Sequence, residues 1–385
     1  SRMSAPPSDV DPAKPYFKGP RKYVRIPRNS HGPLYSHHNH VPAITDCPNG
    51  DLLASWYTCV QERGRELAVA VTRLRRGAEE WEPASLLWDT PDRNDHCPIF
   101  WFDGKQTIYH FNGLGIGGRW APLAIVMRTS KDSGATWSKA SFVTPEFGFR
   151  SMIAETVIRT ADGAIVMASD DSRHYGSKGG PLSTVWISRD EGKSWSNPEG
   201  NIAGVHGTVV QLKDGRLMAL GRGHDIGGWM PMSISSDMGR TWQYSASPLP
   251  PITGGQRCVL LRLKEGPILF ASFAKDVRNL KPFTKDEAPS RYITNIFAAV
   301  SFDEGKTWPL RRVISDNKPD HAVFTMDEGR ARMSPIRSEP LGYLTVCQSR
   351  DGVVHLLSSI NHYAFNLAWL KQGQPDAPLE PQPMA

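Results

Sequence analysis

The feature that most restricts this chain is an octapeptide, Ser-x-Asp-x-Gly-x-Thr/Ser-Trp, which stands at 130–137, 188–195, 235–242 and 301–308. A degenerate fifth copy at 73–81 keeps Trp81 and loses the aspartate. Asp and Gly at that spacing suit a tight turn whose side chains bond nearby backbone N–H groups, and the Trp fills an apolar gap between strands. The motif is a turn repeated at one phase of a larger unit, and it carries no chemistry of its own.

A second repeat defines that unit. An apolar run, a turn ending in glycine and another apolar run recur around Gly50, Gly104, Gly163, Gly215, Gly266 and Gly352, at spacings of 54, 59, 52, 51 and 86 residues. D-G and N-G turns between period-2 strands are hairpin signals. A unit of about 50 residues with one hairpin and one Trp-bearing turn has the size of a four-stranded propeller blade. Six units imply an all-β, six-bladed β-propeller. A two-sheet sandwich accounts for many strands but not for this recurrence.

The reading places a flexible tail at 1–20, one propeller domain at 21–370 and a second tail at 371–385. The long last interval holds the polar segment 275–291, read as an insertion over one face that favours attack at a chain end. With 34 Gly, 31 Pro and 12 Trp spread along 385 residues, composition agrees with many short strands.

The formal net charge of +6 is dispersed along the chain. A dispersed positive charge points to an anionic substrate and away from nucleic acid. Five cysteines lack metal-type spacing, and their odd number cannot all pair. His31, His37, His38 and His40 cluster without a Cys or carboxylate at zinc-like spacing, so neither a metal nor another cofactor is expected. No apolar stretch approaches the roughly 18 residues of a membrane span, and the chain is read as soluble. The sequence carries no signal for an oligomeric state.

In a propeller the innermost strands line a central channel, so residues entering them converge. Counting back eight to ten residues from each turn glycine gives His40, His96, Glu155, His206, Arg257 and Tyr343, all polar and ionisable. Arg222 leaves the second strand of the fourth hairpin, and Arg291 precedes an apolar run. Glu62 and Glu66, after the first hairpin, are further carboxylates near the channel.

The octapeptides resemble the Asp boxes of the sialidase (neuraminidase) superfamily, and with the six hairpins the resemblance covers about 23–370. It implies a glycosidase in which three arginines bind a substrate carboxylate, a Tyr paired with a Glu is the nucleophile and an Asp is the acid/base. On that pattern Arg222 matches the second arginine, Arg291 the third and Tyr343 the nucleophile. His40 stands at the phase of the first arginine, although a literal Arg25-Ile26-Pro27 occurs earlier, and His206 stands where the Glu is expected. Asp95 and Glu62 are candidates for the acid/base. Arg222, Arg257 and Arg291 together form a possible carboxylate clamp, since guanidinium forks match carboxylate geometry.

Three functions stay open on these residues. In a retaining hydrolase of terminal acidic sugars, Tyr343 attacks with His206 or Glu155 as base, and His40 or His96 protonates the leaving oxygen. In a polysaccharide lyase acting on uronates, His and Tyr remove and return protons while an arginine neutralises the carboxylate. The third is a glycan-binding propeller without catalysis. An acidic glycan is the expected partner in each, and polymeric substrates of this kind imply a secreted or periplasmic protein.

Overall fold

In a computed structural model, the structure describes residues 9–27, 30, 36–117, 121–144, 147–173, 180–283 and 291–376. The strands are arranged in six blades. Blade 1 is His38–Asp46, Leu52–Cys59, Ala68–Leu74 and Ser85–Trp88; blade 2 is Ile99–Phe102, Ile108–Gly115, Leu123–Ser130 and Ser141–Phe142. Blade 3 is Met152–Arg159, Ile165–Asp171 and Leu182–Ser188, with single bridges Ile187–Ser196 and Ser183–Ile202 marking its outer edge. Blade 4 is Val205–Gln211, Leu217–Arg222, Pro231–Ser235 and Gln243–Ala246; blade 5 is Val259–Arg262, Ile268–Ala274, Asn295–Ser301 and Leu310–Val313.

Blade 6 takes three strands from one end of the chain, Thr345–Gln348, Val354–Leu357 and Asn361–Phe365, and its outermost strand, Phe17–Lys22, from the other. The tail boundary drawn at residue 20 is therefore corrected. Residues 17–20 belong to a sheet, held because the open edge of Asn361–Phe365 needs backbone partners. At the other end, the Gln374 side chain bonds Val313 N at 2.8 Å and Pro335 O at 2.7 Å, so residues just past 370 pack on blade 5 and its exit.

Each turn glycine joins the first and second strands of its blade, in the left-handed backbone region that favours Gly. Each octapeptide joins the third strand to the outer edge. In the first copy Ser130 Oγ donates to Asp132 Oδ1 at 2.8 Å and accepts the Gly134 N–H at 2.9 Å, while Asp132 Oδ1 accepts the Thr136 N–H at 2.9 Å. Trp137 then stacks on Phe100, with centroids 5.9 Å apart and planes inclined 11°. Trp81 of the degenerate copy holds the same place in blade 1 and is fully buried.

Second strands such as Leu52–Cys59 are buried along their whole length because blades cover both of their faces, whereas the outer strand Gln243–Ala246 is exposed. Side chains that leave these apolar strands at the end of the channel are the ones that can be polar, and this places the site. The last interval is long for two reasons. A hairpin of His321–Phe324 and Arg330–Met333 lies between blades 5 and 6, and the segment 275–291 precedes the third strand of blade 5, although 284–290 of it lies outside the described residues. No helix among the described residues is long and apolar enough to cross a membrane.

Candidate active site

The innermost strands run from one mouth of the channel to the other. At their starting ends lies a cavity of about 940 Å³ lined by Tyr57, Glu62, His96, Asp170, His206, Arg222 and Tyr343, with an apolar wall that includes Phe149, Met152 and Ile252. A second cavity of about 640 Å³ lies at their finishing ends, bordered by Asp46, Lys264 and Gln348.

Tyr343 precedes the first strand of blade 6 and pairs in parallel with Arg257, so both are fixed by backbone as well as side chain. Its hydroxyl lies 3.0 Å from His206 Nε2 and accepts from Arg222 Nη1 at 3.2 Å. Burial pushes the phenol pKa up, and the charge and hydrogen bond of Arg222 oppose that rise. His206 sits at φ 54° in a bulge of the first strand of blade 4. Its Nδ1 is 2.8 Å from Asp170 Oδ2, and its backbone N–H donates to Asp170 Oδ1 at 2.7 Å. Burial holds the imidazole below its usual pKa, with Asp170 pulling the other way. The set reads Asp170, His206, Tyr343: a buried carboxylate lies beside one nitrogen of an imidazole whose other nitrogen faces a phenol.

The arrangement differs from the sequence reading at several residues. Glu155 does not reach this cavity and borders the opposite one. A bulge between Ile153 and Val157 leaves Met152 level with Asp170, so equal counting from the turn glycine lands too deep in blade 3. Its carboxylate accepts from Thr345 Oγ1 at 2.9 Å and Val346 N at 3.2 Å, which removes it as the base for Tyr343.

Arg257 is buried beneath the Tyr343 ring, 5.2 Å from its centroid, and its guanidinium donates to Leu344 O and Pro42 O at 3.1 and 3.0 Å. It supports the tyrosine from below instead of clamping a carboxylate. Arg291 is exposed at the rim, where it donates to the Tyr292 hydroxyl at 3.0 Å.

His40 is buried, with Nδ1 2.9 Å from Ser359 Oγ and its ring 4.0 Å from that of Tyr343. His96 does line the cavity, with its ring 4.9 Å from Tyr57. Burial holds His40 well below the usual histidine range and His96 down to about 4, so both are neutral and neither is a proton donor near pH 7. Arg25 donates to Trp81 O on the outer side of blade 1, a structural contact far from the first-arginine role. Buried Asp95 is tied to Thr90 N at 2.6 Å and Trp88 Nε1 at 3.0 Å, whereas Glu66 is exposed. Of these three carboxylates, Glu62 reaches the cavity: it accepts from the Tyr57 hydroxyl and stands 3.2 Å from His38 Nε2.

Sequence reasoning passed over Asp170 and Tyr57, yet a signal was present. Arg222 lies seven residues after Gly215; the same step from Gly163 and Gly50 gives Asp170 and Tyr57. The exits of the second strands converge on the cavity as the entries of the first strands do.

Comparison with known proteins agrees with this architecture. The chain is 24% identical over 363 residues to a sialidase of Micromonospora viridifaciens, a match covering 86% of this chain and 52% of that protein. It is 26% identical over 375 residues to a sialidase of Bacteroides fragilis (strain YCH46), covering 86% and 62%. The chain thus spans between half and two thirds of these relatives. Among solved structures, the Trypanosoma rangeli sialidase superposes with a TM-score of 0.56 at 14% identity, over 92% of this chain and 59% of that one. The Penicillium chrysogenum α-L-arabinanase complexed with arabinobiose gives 0.56 at 15% identity, over 93% and 100%. The BNR repeat-like domain matches residues 50–356, from the turn glycine of blade 1 into the middle of blade 6. The repeats, the ring of blades and a match over most of the chain agree, and the protein belongs to the BNR repeat-like family as a sialidase-like six-bladed propeller.

Proposed function

We propose that the protein is a retaining glycosidase of the sialidase type, with Tyr343 as nucleophile, the Asp170–His206 pair as its general base and Glu62 as acid/base. The observation that carries this reading is the Tyr343 hydroxyl set between His206 Nε2 and Arg222 Nη1. As the phenol oxygen attacks the anomeric carbon, neutral His206 takes its proton, Asp170 stabilises the imidazolium and Arg222 stabilises the developing phenolate. A phenol is uncharged before attack, so it does not repel an anionic sugar as a carboxylate nucleophile would. Among the described residues, Arg63 and Arg222 are the arginines that line the cavity. The substrate proposed is an acidic sugar at a glycan end, bound with fewer arginines than the three of the sialidase pattern.

One observation favours a second reading. His96 and His206, both held neutral by burial, share the cavity with Tyr343 and Arg222, a set that also suits β-elimination from a uronate. Wild type and Tyr343→Phe, assayed on fluorogenic sialosides and on uronate polysaccharides, separate the two. Fluorophore release that falls at least about 10²-fold in Tyr343→Phe supports the glycosidase. A fluorinated glycosyl fluoride, which slows breakdown of the intermediate, should add one sugar to the Tyr343 peptide. New ultraviolet absorbance from an unsaturated uronate would move the assignment to the lyase, and full activity in Tyr343→Phe would overturn both.

A further inference from the structure

The cavity holds a second ordered set of ionisable groups, which ends on Glu62. Its side chain keeps 35% of its surface exposed in the cavity wall. One of its oxygens, Oε1, accepts from the Tyr57 hydroxyl and faces His38 Nε2 at 3.2 Å. The other nitrogen of the same ring, Nδ1, lies 2.8 Å from Asp327 Oδ1. An ionised carboxylate only accepts hydrogen bonds, so an imidazole with a carboxylate at each nitrogen must carry a proton on both. His38 is therefore an imidazolium, and Glu62 and Asp327 are its two anions. Burial alone would depress the His38 pKa, but the hydrogen bonds to Asp327 and Glu62 outweigh it and hold the ring at about 9. Burial likewise pushes Glu62 up, and the bonds from His38 and Tyr57 bring it down to about 2.

Asp327 reaches this position at a conformational cost. It lies at the tip of the hairpin inserted between blades 5 and 6, at φ 57°, and the next residue, Glu328, is at φ 60°. Two successive L-residues in the left-handed region are disfavoured, and such strain persists where surrounding contacts fix it. The contact here is with His38, at the start of blade 1. The other titratable groups beside the imidazolium are His40, with its ring 5.6 Å away, and Tyr57, whose hydroxyl lies 3.4 Å from Nε2. Burial keeps His40 neutral and holds the Tyr57 hydroxyl protonated.

We propose that Asp327 and His38 are positioning residues that store the proton Glu62 delivers to the leaving group. The proposal rests on the glycosidase reading. His38 Nε2 first passes its proton to Glu62 Oε1; when the glycosidic C–O bond then breaks, its electron pair stays on the leaving oxygen, which takes that proton from Glu62. His38 is left neutral, with Nδ1–H still donating to Asp327. In the second half, water attacks the anomeric carbon and the bond to Tyr343 breaks. The phenolate recovers its proton from His206, and the proton lost by water passes through Glu62 back to His38. The two halves of the reaction thus draw on separate Asp–His pairs, Asp170–His206 for the nucleophile and Asp327–His38 for the leaving group.

The test compares wild type, Asp327→Asn and Asp327→Glu on aryl and alkyl glycosides of graded leaving-group basicity, together with an NMR pH titration of the His38 ring. In Asp327→Asn the His38 titration should move to lower pH, and the basic limb of the pH profile should move with it. The rate loss should reach at least about tenfold for an alkyl leaving group and shrink toward none for 4-nitrophenol, which departs without a proton. Asp327→Glu should recover part of both. A loss equal for all leaving groups, or an unmoved basic limb, would reduce Asp327 to a structural contact and overturn the proposal. If wild type cleaves none of these glycosides, the glycosidase reading fails on its own, and the NMR titration still decides the relay: an unmoved His38 in Asp327→Asn refutes it.

Discussion

His206 Nε2 and the Tyr343 hydroxyl lie 3.0 Å apart although the two residues are 137 positions apart in the chain. The partner behind the imidazole, Asp170, accepts from the His206 backbone N–H through Oδ1 and sets Oδ2 2.8 Å from Nδ1, so it fixes both the main chain and the ring. Asp170→Asn should therefore leave the fold intact and lower kcat by about 10²- to 10⁴-fold, the usual worth of an oriented general base. Steady-state kinetics beside a circular dichroism melt would check this, and an unchanged kcat would detach Asp170 from the reaction.

The same pair sets the acid side of the pH profile. His206 must be neutral to accept the phenolic proton, so activity is present above its pKa and lost as pH falls through it. Burial places that pKa below the ordinary histidine value of about 6.5. Asp170 favours the charged ring, so the residual activity of Asp170→Asn should lose its acid limb at a still lower pH. A profile of kcat/KM against pH for both proteins measures the displacement.

Buried histidines should also weaken the fold in acid, for a separate reason. Burial holds His96 and His355 down to about 4, and His40 and His362 well below the usual range. The unfolded chain takes up these protons near pH 6.5 while the folded one does not, so these four groups favour unfolding as pH drops below about 6.5. Each such group contributes about 1.4 kcal/mol per pH unit until its folded pKa is reached. Burial holds the carboxyls of Asp95 and Glu339 up to about 7 and that of Asp46 up to about 6, and these oppose the histidines by taking up protons in the folded chain. Urea unfolding of wild type and His355→Gln at pH 7 and pH 5 isolates one imidazole: the variant should lose less stability between the two values, and equal losses would contradict the burial of a neutral His355.

Gly113 marks how closely the second strand of blade 2 passes the cavity wall. A Cβ at that position would stand 2.4 Å from His96 O, a backbone atom that cannot swing away. Gly113→Ala should cost about 1–3 kcal/mol, lower Tm and reduce activity through displacement of His96. A lowered Tm with activity unchanged in Gly113→Ala would argue against that route.

How much of this was legible follows from where the information lies. Six blades could be read because each repeats the same turn glycine, and the Trp-bearing turn recurs in most of them. Tyr343 and His206 could be read because each opens an apolar run at a fixed phase, and Arg222 because it closes one. Glu155 was misplaced because a bulge is invisible to counting, and Arg257 because burial beneath a ring leaves no mark on a sequence. Phe17–Lys22, FKGPRK, lacks the alternation of a half-buried strand, since it is an edge whose pairing is supplied by the far end of the chain. The contact of His38 with Asp327 bridges 289 residues and has no local signature at all.

The ring is joined where Phe17–Lys22 meets Asn361–Phe365, and the contacts that cross from the last blade to the first include the 4.0 Å packing of His40 on Tyr343. Tyr343 thus stands on one side of the seam and the Glu62 wall on the other. A ring that springs open at this joint would separate the two halves of the active site while every other blade kept its hairpins. The proposed turnover would vanish before secondary structure did, so the spacing of Tyr343 from the Glu62 wall is the most sensitive gauge of whether the circle is closed.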